Sequence, residues 1–188
     1  GGSPGDGNVA TSAAVNNPYR TFKDSVGNLY ISDTNNHRVR KVSASDVIIR
    51  TVAGTGAGGY SGDGGPAVSA KLYSPMGIWV DSAGNLYICD FSNNRIRKVD
   101  ASDGTISTIA GDGTYSYGGD GGLAVDAQLK NPAGMVMDSS GNIYFADYSN
   151  HRIRKINASD GIISTVAGTG VGGYSGDGGP AVSAKLYS

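Results

Sequence analysis

Short runs in which apolar residues alternate with polar ones follow one another down the middle of the chain, each closed by turn-forming residues. Between residues 76 and 110 there are four: Met76–Val80, Leu86–Cys89, Arg95–Val99 and Ile106–Ala110. A period of two, with Val, Ile, Tyr and Trp at the apolar places, is the pattern of half-buried β-strands. Asp81-Ser82-Ala83-Gly84-Asn85 separates the first two runs and Asp100–Gly104 the last two. Gly84 is free to take a positive φ in its turn. A strand about every ten residues predicts antiparallel hairpins.

The pattern repeats without gaps. Gly-Asp-Gly recurs at Gly5, Gly62, Gly119 and Gly176, each step being 57 residues. Pro18, Pro75 and Pro132 stand in register, as do Asp24, Asp81 and Asp138, and Asp33, Asp90 and Asp147. Gly-Asn-Leu/Ile-Tyr occurs at 27–30, 84–87 and 141–144, and Arg-Val/Ile-Arg-Lys at 38–41, 95–98 and 152–155. Residues 1–4 read as a tag or unordered start. Residues 5–61, 62–118 and 119–175 are three units, each led by a Gly-rich linker. Residues 176–188 are a further linker, identical to 62–74, and a candidate clasp between chains. Four strands per unit of this length predict all-β propeller blades. Within the linker before the third unit, Ala124, Ala127 and Leu129 are expected to pin the loop to the blade, with room for one helical turn. Such near-identity between units reads as recent duplication or design, and the Gly1-Gly2-Ser3 start as a processed or engineered terminus.

Composition agrees with an all-β chain. All 16 acidic residues are Asp, and Gly accounts for 31 of the 188 residues, a mixture that favours turns over helices. The net charge of -1 gives no general pull towards nucleic acid or an acidic membrane. No apolar run approaches the roughly 20 residues that span a bilayer. Cys89, the single cysteine, aligns with Ser32 and Ala146 and is expected in a small buried slot rather than as a reactive thiol.

The linked motifs Pro-x-Gly-φ-x-x-Asp, Gly-Asn-φ-Tyr-φ-x-Asp, Asn-x-Arg-φ-Arg-Lys and Thr-φ-Ala-Gly (φ apolar) resemble the NHL repeat, over all but the first few residues. The resemblance implies a β-propeller, commonly of six blades. It implies a recognition platform for protein or RNA, although some relatives are lyases or hydrolases with metal in the central channel. The long Gly-Tyr-Ser-Gly-Asp-Gly-Gly loop is similar to extracellular and bacterial members, which leans the expected location towards the secreted. The first repeat departs from the pattern: Arg20 stands where Gly77 and Gly134 stand, Lys23 replaces an apolar residue, Val47 replaces Gly104 and Gly161, and Arg50 replaces Ser107 and Ser164.

Three blades leave two apolar faces without a neighbour. Two copies placed head to tail make six blades and satisfy both faces, so a homodimer forming one ring is expected. The tail 176–188 and the first linker 5–17 would then compete for one slot on the first blade.

Several residues carry candidate chemistry. Arg38, Arg40, Arg95, Arg97, Arg152 and Arg154 alternate with apolar residues and share a strand face. They form either internal pairs with Asp33, Asp90 and Asp147 or a basic band for RNA or an acidic partner, which usually adds exposed aromatics for stacking. Arg20 points into an open channel or marks a disturbed terminal blade. Asp24, Asp81 and Asp138 close the first strand of each blade. They serve as Asx turns or, weakly, as a carboxylate circle for Ca²⁺. The loops carrying Asp63, Asp120 and Asp177 supply one carboxylate each, too few for a calcium loop. His37 and His151 occupy equivalent turns, with Asn94 between them, and are expected to be solvated. No inner strand carries a histidine, so none accompanies a candidate nucleophile there. The reading is a non-catalytic scaffold, without cofactor, that self-assembles and binds protein or glycan. The alternatives are a channel-metal enzyme and an RNA-binding module.

Overall fold

The computed structural model describes residues 5–188. Residues 1–4, the expected tag, lie outside the described residues. The strands are β1 (Pro18–Lys23), β2 (Leu29–Asp33), β3 (Arg38–Val42) and β4 (Ile49–Ala53) in the first blade. In the second they are β5 (Pro75–Val80), β6 (Leu86–Asp90), β7 (Arg95–Val99) and β8 (Ile106–Ala110). In the third they are β9 (Pro132–Met137), β10 (Ile143–Asp147), β11 (Arg152–Ile156) and β12 (Ile163–Ala167). Each blade is one four-stranded sheet in sequential order, antiparallel throughout. The chain is therefore all-β, with three propeller-type blades.

The turn chemistry sets the register. Asp81 Oδ1 accepts from the Ala83 N–H at 3.0 Å and the Asn85 N–H at 2.9 Å, and its Oδ2 accepts from Asn85 Nδ2 at 2.8 Å. Asn85 Oδ1 in turn accepts from the Ala101 N–H at 3.0 Å. One Asp-x-x-Gly-Asn segment thus ties the β5–β6 turn to the β7–β8 turn of the same blade. Asp24 with Asn28 and Asp138 with Asn142 do the same. The middle hairpin is closed by a short 3₁₀ turn and one left-handed residue: His37, Asn94 or His151.

Alternate residues of each strand face opposite neighbours. Between the first and second blades lie Tyr30, Val39, Ile78, Leu86 and Ile88. Between the second and third lie Tyr87, Cys89, Ile96, Met135 and Phe145. The linkers fill the outer part of these seams: Ala67, Ala70 and Leu72 in one, Ala124, Ala127 and Leu129 in the other, all buried. The expected pinning residues thus do pin, and a 3₁₀ turn forms at Ala124–Asp126. Cys89 is fully buried, and burial pushes its thiol up. The first strands approach so closely that a Cβ on Gly77 would lie 1.9 Å from the Ala133 carbonyl oxygen and 2.9 Å from Cys89 Sγ.

Candidate functional site: the linker clamps and the open blade faces

The linker from Gly62 to Ser74 bridges two blades. Gly64 N–H donates to the Ile106 carbonyl and Ile106 N–H to the Gly65 carbonyl, at 2.8 and 3.0 Å, so the linker pairs with the outer strand of the second blade. Its Ala67 and Ala70 carbonyls accept from Gly54 N–H and Thr55 N–H of the first blade, each at 2.9 Å. Gly121, Gly122, Ala124 and Ala127 repeat both sets of bonds one blade later.

Side chains lock this arrangement. Asp63 from the linker binds Arg97 of the second blade, and its Oδ2 accepts from Thr108 Oγ1 at 2.7 Å and from Tyr60 OH at 2.8 Å. The Tyr60 ring lies beneath Arg95, at 3.8 Å, and near Arg97, at 5.0 Å. From within the blade, Arg97 Nη1 reaches Asp90 Oδ2 at 3.3 Å. Asp90 Oδ1 accepts from the Tyr73 N–H at 2.7 Å and its Oδ2 from Asn93 Nδ2 at 2.8 Å. The third blade has the same clamp. Asp120 binds Arg154 at 2.6 Å, Tyr117 OH donates to Asp120 at 2.9 Å, and Arg152 and Arg154 stand 3.6 and 5.1 Å from the Tyr117 ring. In the first blade, Asp6 binds Arg40 at 2.6 Å and accepts from Thr51 Oγ1 at 2.7 Å.

These contacts place the sequence-derived arginines. Arg40, Arg97 and Arg154 are fully buried and each touches two aspartates, one in its own blade and one in the linker. The basic band considered for RNA or an acidic partner is thus internal at these three positions, because the linker folds over them. Arg38 is buried too, and Arg95 and Arg152 are half-buried, each donating to a loop carbonyl: Thr55, Asp112 and Thr169 respectively. Pairing with Asp33, Asp90 and Asp147 is present, but the linker aspartates Asp6, Asp63 and Asp120 and the tyrosines Tyr60 and Tyr117 went unassigned. The spacing of 34 residues between Asp63 and Arg97 recurs between Asp120 and Arg154, but every aligned pair of a gapless repeat keeps its spacing, so it singled out neither.

The other candidates fall as follows. Asp24, Asp81 and Asp138 are engaged by their own turns, and no group of three metal-ligating side chains occurs among the described residues. His37 and His151 are half-buried rather than solvated. His37 Nδ1 accepts from the Ser74 N–H at 3.1 Å, and in the next seam Asn94 Oδ1 accepts from the Asn131 N–H at 3.1 Å, so this position holds the end of the following linker. Arg20 is exposed and lines a cavity of about 250 Å³ together with Gly134, Met135 and Val136 of the third blade.

Two blade faces are open. On the third blade, Tyr144, Ala146, Ile153 and Ala167 are half-buried where their counterparts Tyr87, Cys89, Ile96 and Ala110 are buried. A cavity of about 570 Å³ lies on this face, among Tyr148, His151, Tyr174, Leu186 and Tyr187. On the first blade, all of β1 except Phe22 is exposed, and Tyr19 is 53% exposed.

Comparison with known proteins accords with this architecture. The model of the teneurin NHL domain matches residues 9–118 and 113–175. Teneurin-3 of Mus musculus is 41% identical over 97 residues, covering 45% of this chain and 4% of its own length. NHL repeat-containing protein 2 of Gallus gallus is 27% identical over 143 residues, covering 72% of this chain and 20% of its own. The chain thus spans a fifth or less of these relatives. A solved structure from Bacteroides thetaiotaomicron, described as a structural genomics protein of unknown function, superposes with a TM-score of 0.68 at 22% identity. It covers 89% of this chain and 39% of its own. With four-stranded blades, the repeated motif set and a family match across both of its blade seams, the chain belongs to the family of the teneurin NHL domain.

Proposed function

We propose that this chain is a non-catalytic NHL-repeat scaffold, two copies of which close head to tail into a six-bladed ring that offers a face to a protein or glycan partner. The observation that carries the reading is the match between the open faces and the closed seams. The face of the third blade bears, half-buried, the counterparts of the residues that the second blade buries against its neighbour. The face of the first blade likewise bears Leu29 and Ile31, half-buried, where Leu86 and Ile88 are buried. Each half of a seam is therefore present, one at each end of the stack. Rotational closure covers both at once, whereas an open head-to-tail stack leaves one bare face at each of its ends.

The non-catalytic part rests on how the charged side chains are used. The aspartates and arginines of the repeated motifs are spent on clamps and turns, and the histidines hold linker ends. A propeller face then remains as the surface for recognition. Light scattering on a sizing column tests the assembly. A mass of two chains is expected, and a single-chain mass at every concentration would overturn the ring.

A further inference from the structure

The clamp built at the two internal seams is present in the tail as a half. Tyr174 OH donates to Asp177 Oδ2 at 2.6 Å, the same bond that Tyr60 makes to Asp63 and Tyr117 to Asp120. Tyr60 and Tyr117 are 43% and 38% exposed and stack under arginines, but Tyr174 is 84% exposed. Beyond it, Gly179 and Ala181 are exposed, whereas their counterparts Gly65 and Ala67 are half-buried and buried, Gly65 accepting from the Ile106 N–H and Ala67 donating to the Gly104 carbonyl of the next blade. On its other edge the tail is already docked: its Ala181 and Ala184 carbonyls accept from Gly168 N–H and Thr169 N–H at 3.0 and 2.9 Å.

The complementary half stands at the other end of the chain. Arg38, Arg40 and Thr51 of the first blade occupy the places of Arg95, Arg97 and Thr108. There the aspartate is Asp6, on a linker that departs from the repeat with Asn8 for Gly65, Val9 for Pro66 and Val15 for Leu72. At the place of the clamp tyrosine the sequence has Ser3, which offers no ring. The tail, by contrast, carries the sequence of the second linker unchanged.

We infer that the tail of one copy captures the first blade of a second copy. Asp177 takes the seat of Asp6 on Arg40 and Thr51, Tyr174 slides beneath Arg38 and Arg40, and the linker 5–17 is displaced. The inference rests on the head-to-tail pairing proposed above and adds which linker fills the seam. The tail brings the aspartate that Asp6 already supplies, plus an aromatic face for two guanidinium groups. It enters already fixed on its own blade, so the second half docks with little further ordering.

Sedimentation over a concentration series separates the alternatives, using the wild type, Asp177→Asn, Tyr174→Ala and Asp6→Asn. Both tail positions are exposed, so these variants keep the fold. The expected result is that Asp177→Asn and Tyr174→Ala each weaken association roughly tenfold, the scale of one charge-assisted or ring contact. Asp6→Asn leaves association unchanged or tighter, because Asp6 must vacate its seat. Weaker association in Asp6→Asn with none lost in Asp177→Asn would overturn the inference while leaving the ring intact, the first linker then holding the seam. A wild-type mass that grows without limit would end the closed ring, yet the tail capture stands if Asp177→Asn suppresses the growth. A wild type that stays single overturns both.

Discussion

The guanidinium of Arg95 lies 3.8 Å above the ring of Tyr60, a residue that precedes it by 35 positions and belongs to the linker rather than the blade. The stacking is held in place because the hydroxyl of Tyr60 is fixed on Asp63, and Asp63 on Arg97 and Thr108. Ring and carboxylate therefore act together on two arginines. Tyr60→Ala removes a cation–π contact and a hydrogen bond at a half-exposed site. The expected loss is about 1–2 kcal/mol in denaturant unfolding at low protein concentration. Tyr117→Ala should match it, since its geometry is the same. Tyr174→Ala should leave the stability of an isolated chain within about 0.5 kcal/mol, as expected for a surface substitution. Equal losses at all three positions would show that the ring stacking contributes nothing.

Close approach of the first strands makes a second pair of substitutions informative. A Cβ on Gly77 would collide with the Ala133 backbone, whereas one on Gly134 meets nothing within 4 Å. Gly77→Ala forces the inner strands apart and should cost about 2–3 kcal/mol, the scale of overpacking. Gly134→Ala should be neutral in an isolated chain. In the proposed ring Gly134 faces the first strand of a second copy as Gly77 faces Ala133. The same change should then abolish the two-chain mass on a sizing column.

Much of this was legible beforehand, and for a physical reason. The strands follow from alternation and the turns from Asp-x-x-Gly-Asn, both local signals, and the three repeats average out accidents of any one. Boundaries moved by one residue: β5 begins at Pro75 and β6 runs on to Asp90. The pairing of Arg97 with Asp90 was readable because the two residues lie diagonally on one face of one hairpin, Asp90 opposite Arg95 and Arg97 next along that face. The linker clamp was not, since Tyr60 and Asp63 reach Arg95 and Arg97 only after the chain crosses from one blade to the next. The histidines occupy the turns expected of them, but their solvation was misjudged for the same reason. His37 looks solvated until Ser74 of the following linker lands on it.

Val47 is a third test. It sits where Gly104 and Gly161 have φ of 74° and 70°, and it adopts φ of 56° itself. A β-branched side chain in the left-handed region is strained, at a cost on the order of 1–3 kcal/mol. Its side chain is also 52% exposed, so little burial compensates. Val47→Gly should stabilise the first blade by about 1 kcal/mol after the entropy of the added glycine is set against the relieved strain. The reverse change, Gly104→Val, should destabilise by at least as much. Hydrogen exchange at Ile49 and Ala53 reads the first blade directly, and slower exchange is the expected sign for Val47→Gly.

The last prediction concerns pH. Burial pushes the Asp90 carboxyl up to about 6, although Asn93, the Tyr73 N–H and Arg97 pull it down. Its ordinary value is 3.8, so between the two the folded chain holds a proton that the unfolded chain has released. The contribution of Asp90 is therefore complete below pH 3.8 and lost as pH rises through about 6. Asp147 is shifted the same way by burial. Asp63 and Asp120 of the linkers run opposite. Burial raises Asp63, but its hydrogen bonds from Thr108 and Tyr60 and the charge of Arg97 outweigh it and hold the carboxyl low, as they do for Asp120 with Thr165 and Arg154. Their contribution is present above the ordinary value and lost as pH falls through the lowered one. Asp90→Asn should destabilise at pH 4, because its amide nitrogen cannot accept the bonds that Oδ2 takes from Asn93 and Arg97, whereas a protonated carboxyl oxygen still can. The gap between wild type and variant should nonetheless narrow from about pH 4 to about pH 7, by roughly 2–3 kcal/mol. Urea unfolding across that range measures it, at one protein concentration. A gap that widens with rising pH would mean instead that Asp90 is ionised against Arg97 throughout, with attraction rather than burial setting its proton affinity.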